Sequence, residues 1–438
     1  MVCIQGPGRA IAVLAMAMFG AACGAPAGSS LPTASSVAAV PIPSAIAVPF
    51  GSAAAASPTA TAAPVASATS APSATPASPT ASTTPTAKPA ASGSATEGTW
   101  SKPRRIHDDE CIVSSATIDA AGRHHVAAAC GASITYLTSA NGTAWTATSF
   151  PPPIDLIEAS PQLSIDGDRI HIAYSLLDPD EGGCGDDGRR ELGVYVRSRS
   201  LTGGGWSNPL RLGLEGDRLQ AFRVANGVLH ATFETGDGRG VVYQASRGTR
   251  LSRIEIPRAV STSLRVGDDG RARIAYATGD AIRLARVDGD RLTRWTVAET
   301  DRTSILAPDL VLGPGDRAYV VWTQSIDDGT GCAVPEPPPI DGTYFATNAG
   351  SKWTPERLTR STGGTSLTLD PNTSALHALV AGRAVSYFSS RSGAGWSGVE
   401  LGGTEDMTSP IVRLDPTTGR LVAFVAAYSG GIFVLGRR

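Results

Sequence analysis

Beyond about residue 100 the chain is written in short runs in which apolar side chains recur at every second position. Gln162-Leu-Ser-Ile-Asp166, Arg169-Ile-His-Ile-Ala-Tyr174 and Gly193-Val-Tyr-Val-Arg197 follow one another in this style. So do Ser263-Leu-Arg-Val266, Ala272-Arg-Ile-Ala-Tyr276 and Ile282-Arg-Leu-Ala285. A period of two puts alternate side chains on opposite faces of an extended strand. Asp-Gly-Asp (166–168), Asp-Asp-Gly (268–270) and Asp-Pro-Thr-Thr-Gly (415–419) separate first strands from second strands, and these compositions favour hairpin turns. No stretch after residue 100 keeps a 3.6-residue period, so helix is not expected there.

The runs group into units of about 40 to 50 residues whose first strands begin near Ser114, Pro161, Leu219, Thr262, Pro308, Thr365 and Ser409. Several units close on a Trp-containing fourth strand: Gly205-Trp-Ser-Asn-Pro-Leu-Arg-Leu212, Lys352-Trp-Thr-Pro-Glu-Arg-Leu358 and Gly395-Trp-Ser-Gly-Val-Glu-Leu401. The unit from Ser409 to Arg438 stops before such a segment. A near-copy, Gly98-Thr-Trp-Ser-Lys-Pro-Arg-Arg-Ile106, stands ahead of the first unit instead. The pattern therefore predicts an all-β fold: a seven-bladed β-propeller of four-stranded antiparallel blades over 98–438. The strand at 98–106 is expected to join the C-terminal blade and close the ring.

Composition divides the rest. Residues 23–97 are almost wholly Ala, Pro, Ser and Thr, too poor in apolar bulk to offset ordering entropy, and are expected to form a disordered tether. Residues 1–22 carry Arg9 and then an apolar run of about a dozen residues, Ile11 to Ala22, which is signal-peptide length and short of a bilayer span. Cys23 follows small residues directly. That junction resembles the lipobox of bacterial lipoproteins, with Gly20 where the motif usually has Leu. The resemblance implies an acylated Cys23 and an extracellular domain whose only contact with the cell membrane is the lipid. A formal net charge of −2 and the lack of any long basic run argue against nucleic acid as a partner.

The turns before the fourth strands, Ser139-Ala-Asn-Gly-Thr-Ala-Trp145, Asn348-Ala-Gly-Ser-Lys-Trp353 and Ser390-Arg-Ser-Gly-Ala-Gly-Trp396, resemble degenerate Asp-boxes (BNR repeats) of the sialidase-like propeller superfamily. The resemblance spans 98–438 and implies the fold. A sialidase also needs an arginine cluster, a Tyr–Glu pair and an acidic Asp. That set cannot be assigned to residues from the sequence, and Arg104-Arg105-Ile106-His107 matches the arginine motif only loosely.

Strand order puts the starts of first strands and the ends of second strands on one face. The two long insertions fall on it, Asp178 to Gly188 and Asp327 to Asp341. Its carboxylates are Asp108, Asp109, Glu110, Asp178, Asp180, Glu181, Asp186, Asp187, Asp327 and Asp328, joined by Glu405 and Asp406. They make it the candidate ligand face. Calcium suits such oxygen-rich loops, although EF-hand spacing is absent because position twelve from Asp178 is Arg189.

Cys111 and Cys130 are expected opposite each other in a hairpin and disulfide-bonded, with Cys184 and Cys332 bridging the insertions. His171, His230 and His377 recur at one repeat position, which favours packing over metal binding. No Gly-x-Ser-x-Gly, His-Glu-x-x-His, phosphate-loop or Cys-x-x-Cys pattern occurs. The sequence thus supports a monomeric surface module for glycan or protein, with a sialidase-like exo-glycosidase as the alternative.

Overall fold

The computed structural model describes residues 98–437, apart from 109, 151–155, 179–189, 237, 248–249, 300–303, 326–340, 349–351 and 391–394. They form seven four-stranded antiparallel sheets, the blades of a β-propeller. The first strands are Cys111–Ile118, Ile157–Asp166, Arg218–Ala225, Ser261–Val266, Ser304–Leu312, Thr365–Leu369 and Met407–Leu414, numbered here as blades 1 to 7.

 The blade 6 strand, Thr365–Leu369, is the shortest of these, followed by that of blade 4. Three first strands begin several residues ahead of the alternating pattern, at 111, 157 and 304. The cause is a bulge in each: the register shifts between Val113 and Ser115, between Ala159 and Gln162, and between Leu306 and Asp309. An extra residue there flips the alternation, so only the part after the bulge keeps a clean period of two.

In the last sheet the order is Arg104–His107, Ile432–Gly436, Leu421–Ala427, Met407–Leu414, so the fourth strand comes from the N-terminal end of the domain. Arg104 pairs with Val434 and Arg105 with Phe433. Trp100 forms a separate bridge to Arg437, and Ser101 N–H donates to the Gly436 carbonyl at 2.8 Å. The regular strand is thus shorter than the expected 98–106. Pro103 interrupts the ladder because it has no N–H to give.

The core is seven layers, one between each pair of neighbouring blades. The fourth-strand tryptophans wedge into these layers. Trp206 of blade 2 meets Tyr136 of blade 1 edge-on at 5.3 Å, and Trp396 of blade 6 meets Phe345 of blade 5 at 4.9 Å. Trp100 meets Tyr387 of blade 6 at 5.2 Å, so it does for the closing blade what Trp206 does for blade 2.

The second-strand histidines complete this pattern. His125, His230 and His377 place Nδ1 within 2.6, 2.7 and 2.8 Å of the hydroxyls of Tyr136, Tyr243 and Tyr387. In two interfaces an arginine of the next blade lies over the tyrosine ring, Arg199 over Tyr136 at 4.8 Å and Arg437 over Tyr387 at 4.9 Å. Burial drives the His230 and His377 pKa values down to about 4, so both are neutral at pH 7. These two histidines are packing residues, in line with the expectation from their spacing.

Candidate functional site: the central channel and its two mouths

Each first strand lines the ring with its unpaired edge, and the backbone N–H groups of that edge need acceptors. Side chains of the preceding blade supply them. Leu163 N–H donates to Ser115 Oγ (3.0 Å), Leu310 N–H to Ser263 Oγ (3.2 Å), Leu367 N–H to Asp309 Oδ2 (2.9 Å) and Val412 N–H to Ser366 Oγ (3.1 Å). The polar residue in each case stands just before a fully buried one: Ala116, Leu264, Leu310 and Leu367.

Just after that buried position lies a second tier, Thr117, Ser164, Arg223, Arg265, Val311, Thr368 and Arg413 for blades 1 to 7. Arg265 donates to Asp309 Oδ1 at 3.0 Å, with both side chains 18% exposed. Arg413 donates through Nε to the Ala116 carbonyl and through Nη1 to that of Val412, each at 2.7 Å. Arg223 Nη1 donates to the Phe222 carbonyl at 2.7 Å. Among the described residues, Arg223 Nε and Nη2, Arg265 Nε and Arg413 Nη2 have no protein acceptor.

The arginines come from blades 3, 4 and 7, and each donates to a carbonyl of a channel-lining first strand: Arg223 to Phe222, Arg265 to Leu264 and Arg413 to Ala116. Burial, then repulsion from Arg265 and Arg413, holds the Arg223 guanidinium well below the usual arginine pKa, while Asp309 opposes the shift. Burial brings Arg413 down to about 10, with Asp309 opposing and Arg265 adding. A guanidinium group does not give up its proton in proteins, so both remain charged. Three guanidinium groups face one carboxylate, leaving an excess of positive charge.

This tier lies beside the turns between first and second strands. Five carboxylates at that mouth, Asp119, Asp269, Asp316, Asp370 and Asp415, are committed. Burial would raise the pKa values of Asp119, Asp370 and Asp415, but hydrogen bonds from turn N–H groups and side chains outweigh it and hold them below the usual value. Asp269 and Asp316 both pair with Arg273, at 3.0 and 2.6 Å.

At the opposite mouth the described members of the predicted acidic face are Asp108, Glu110 and Asp178, joined by the exposed Glu405 and Asp406. The first two are exposed, and Asp108 pairs with Arg105 at 3.4 Å. Asp178 ends the second strand of blade 2. Asp109, Asp180, Glu181, Asp186, Asp187, Asp327, Asp328 and the Cys184–Cys332 pair lie outside the described residues. Among the described residues the acidic face assembles no calcium-like oxygen cluster. The one group with metal-ligand spacing is His107, Cys111 and Cys130, and its two sulfurs are already bonded to each other. That disulfide joins directly paired strand residues, as the hairpin predicts.

Arg104 and Arg105 serve closure. Arg104 donates to the carbonyls of Thr143 and Gly142 in blade 1, while Arg105 donates to the Gly430 carbonyl and lies over Phe433.

A Tyr–Glu–Arg set does exist, and sequence reasoning missed it. Arg197 Nε donates to the Tyr174 hydroxyl at 3.1 Å, and Arg197 Nη2 lies 3.8 Å from Glu158 Oε1. Glu158 is 1% exposed and sits between blades 1 and 2, where its N–H donates to the Ala132 carbonyl. Sealed there, it cannot touch a substrate. Burial pushes its carboxyl up to about 6, with Arg197 offsetting part of the rise.

Because that folded pKa is above the unfolded value, Glu158 costs stability as pH rises from about 4.5 to about 6. Glu158→Gln should therefore gain about 2 kcal/mol above pH 6 and nothing below pH 4.5. Denaturant midpoints at pH 7.5 and 4.5 check this, and a gain of equal size at both pH values would refute it.

A shallow groove of about 420 Å³ between blades 5 and 6 is lined by Arg357, Phe388, Trp396 and Glu400. It lies at the rim, away from the channel.

No protein-family model matches the sequence, and no curated protein is significantly similar to it. Solved structures are similar in fold. A family 25 polysaccharide lyase, an ulvan lyase bound to a glucuronate–rhamnose-3-sulfate unit, has TM-score 0.53 at 13% identity, covering 76% of this chain and 95% of that one. The α-L-arabinanase of Penicillium chrysogenum with arabinobiose has TM-score 0.51 at 11% identity, covering 77% and 98%. Virginiamycin B lyase of Staphylococcus aureus has TM-score 0.51 at 9% identity, covering 77% and 99%. At such identities the likeness is one of architecture, and these three propellers carry different chemistries.

Proposed function

We propose that the chain is an extracellular binding module for a glycan or protein, monomeric and held to the cell membrane by a lipidated Cys23 and the 23–97 tether. Its ligand meets the insertion-bearing mouth, where Asp108, Glu110 and Asp178 stand, with calcium as a candidate bridge among the acidic loops. The observation that carries this reading is the state of the Tyr174–Glu158–Arg197 set, which is sealed between blades. A set closed off in this way is unavailable for glycosidic acid–base chemistry, while Asp108 and Glu110 stand exposed for holding a ligand.

The glycan-active names among the fold neighbours favour glycans as the first class to test, and they keep exo-glycosidase action as the second reading. The experiment is a glycan array with the mature chain, with and without calcium, beside a panel of fluorogenic sialosides and other glycosides. Binding that weakens about tenfold in Asp108→Asn/Asp178→Asn, with no hydrolysis, is the expected result. Hydrolysis lost on removing one of these carboxylates would replace the binding reading with the enzymatic one.

A further inference from the structure

We infer that the second tier of the channel, Arg223, Arg265 and Arg413, is a binding site for a small oxyanion: a carboxylate, sulfate or phosphate group. This goes beyond the proposed function, since the site lies at the turn-lined end of the channel and not at the insertion-bearing mouth.

Four features point to an anion. The three guanidinium groups come from three blades and each is anchored on a carbonyl of a channel-lining first strand, so like charges face one channel, and their repulsion accords with that placement. Asp309 compensates one of them, and five mouth carboxylates are held by turn hydrogen bonds or by Arg273. Each arginine keeps at least one N–H without a protein acceptor while its other donors anchor it to backbone carbonyls or Asp309, which fixes the group in place. Finally, the same tier holds the hydroxyl groups of Thr117 and Thr368 in two further blades.

Guanidinium groups match planar and tetrahedral oxyanions through several directed N–H donors. A spherical chloride gains less from that geometry. Partial burial in the channel strengthens the attraction beyond what a surface arginine offers.

The test is thermal unfolding of the mature chain titrated with sodium sulfate, sodium phosphate and sodium glucuronate, each against sodium chloride at equal ionic strength to remove general screening. Saturable stabilisation above the chloride control is expected. Arg223→Gln and Arg413→Gln should each weaken the apparent affinity about tenfold or more, as loss of a charged hydrogen-bond donor does. Asp309→Asn has the opposite sign: removing the competing carboxylate should tighten binding several-fold, about the effect of one nearby charge.

A response to sulfate or phosphate identifies a free anion as sufficient. A response to glucuronate alone identifies the acid group of a larger ligand. The inference is overturned if no oxyanion stabilises the wild type beyond chloride. It is equally overturned if folded Arg413→Gln and Asp309→Asn respond as the wild type does.

Discussion

Deleting residues 98–107 from the mature chain should lower the melting temperature by about 5–10 °C or abolish the cooperative transition, far more than ten surface residues elsewhere would. Three losses combine. The ladder to Ile432–Gly436 disappears, which turns that buried third strand into a bare edge. Trp100 leaves the layer between blades 6 and 7, where it packs on Tyr387 and the cluster around Met407 and Leu435. Arg104 no longer ties blade 7 to the Gly142–Thr143 turn of blade 1.

Removal of a packed tryptophan alone typically costs about 3 kcal/mol or more, so Trp100→Ala should account for much of the effect. Size-exclusion chromatography should also show the deletion variant forming dimers or larger species by edge pairing. An unchanged melting temperature would mean that the strand contributes nothing to the ring.

The second large effect is acid destabilisation. His230 and His377 have folded pKa values near 4 because burial disfavours the imidazolium, and burial lowers those of His124, His125 and His171 too. The unfolded chain therefore binds protons that the folded chain refuses. Stability is complete above about pH 6.5 and drains as pH falls towards 4, by roughly 3 kcal/mol for each of His230 and His377.

Against a typical total of about 5–15 kcal/mol, this brings the domain close to unfolding before its turn carboxylates titrate. Those carboxylates, Asp119, Asp370 and Asp415, contribute their own loss only below about pH 4. Denaturant midpoints measured from pH 7.5 to 4 should fall steeply, and the slope should shrink in His230→Gln/His377→Gln. The same slope in that variant would assign the acid loss to other groups.

The fold was legible because its unit is local. Alternation, Asp/Gly turns and a Trp-bearing fourth strand recur in each blade, and Cys111 and Cys130 could be paired because a hairpin sets them opposite one another. What the alternation misplaced were strand starts ahead of bulges, where an extra residue inverts the pattern.

The channel was not legible in the same way. Arg223, Arg265 and Arg413 each follow a buried apolar residue in a first strand, in Phe-Arg-Val, Leu-Arg-Val and Val-Arg-Leu. The repetition is visible once the blades are aligned, but residues up to 190 positions apart meet only because the ring closes. Glu158 was hidden for a related reason, since its partners Tyr174 and Arg197 lie on two other strands and the interface that buries it belongs to a neighbouring blade.

Closure underlies the interblade core, the tryptophan wedges and the channel together. Hydrogen–deuterium exchange tests it most directly, through peptides covering 98–107 and 430–437. Protection of both segments in the wild type comparable to that of the central strands, with protection of 430–437 lost when 98–107 is deleted, is the predicted result. Rapid exchange of the N-terminal segment while 430–437 stays protected in wild type and deletion alike would contradict a ring closed by its own ends.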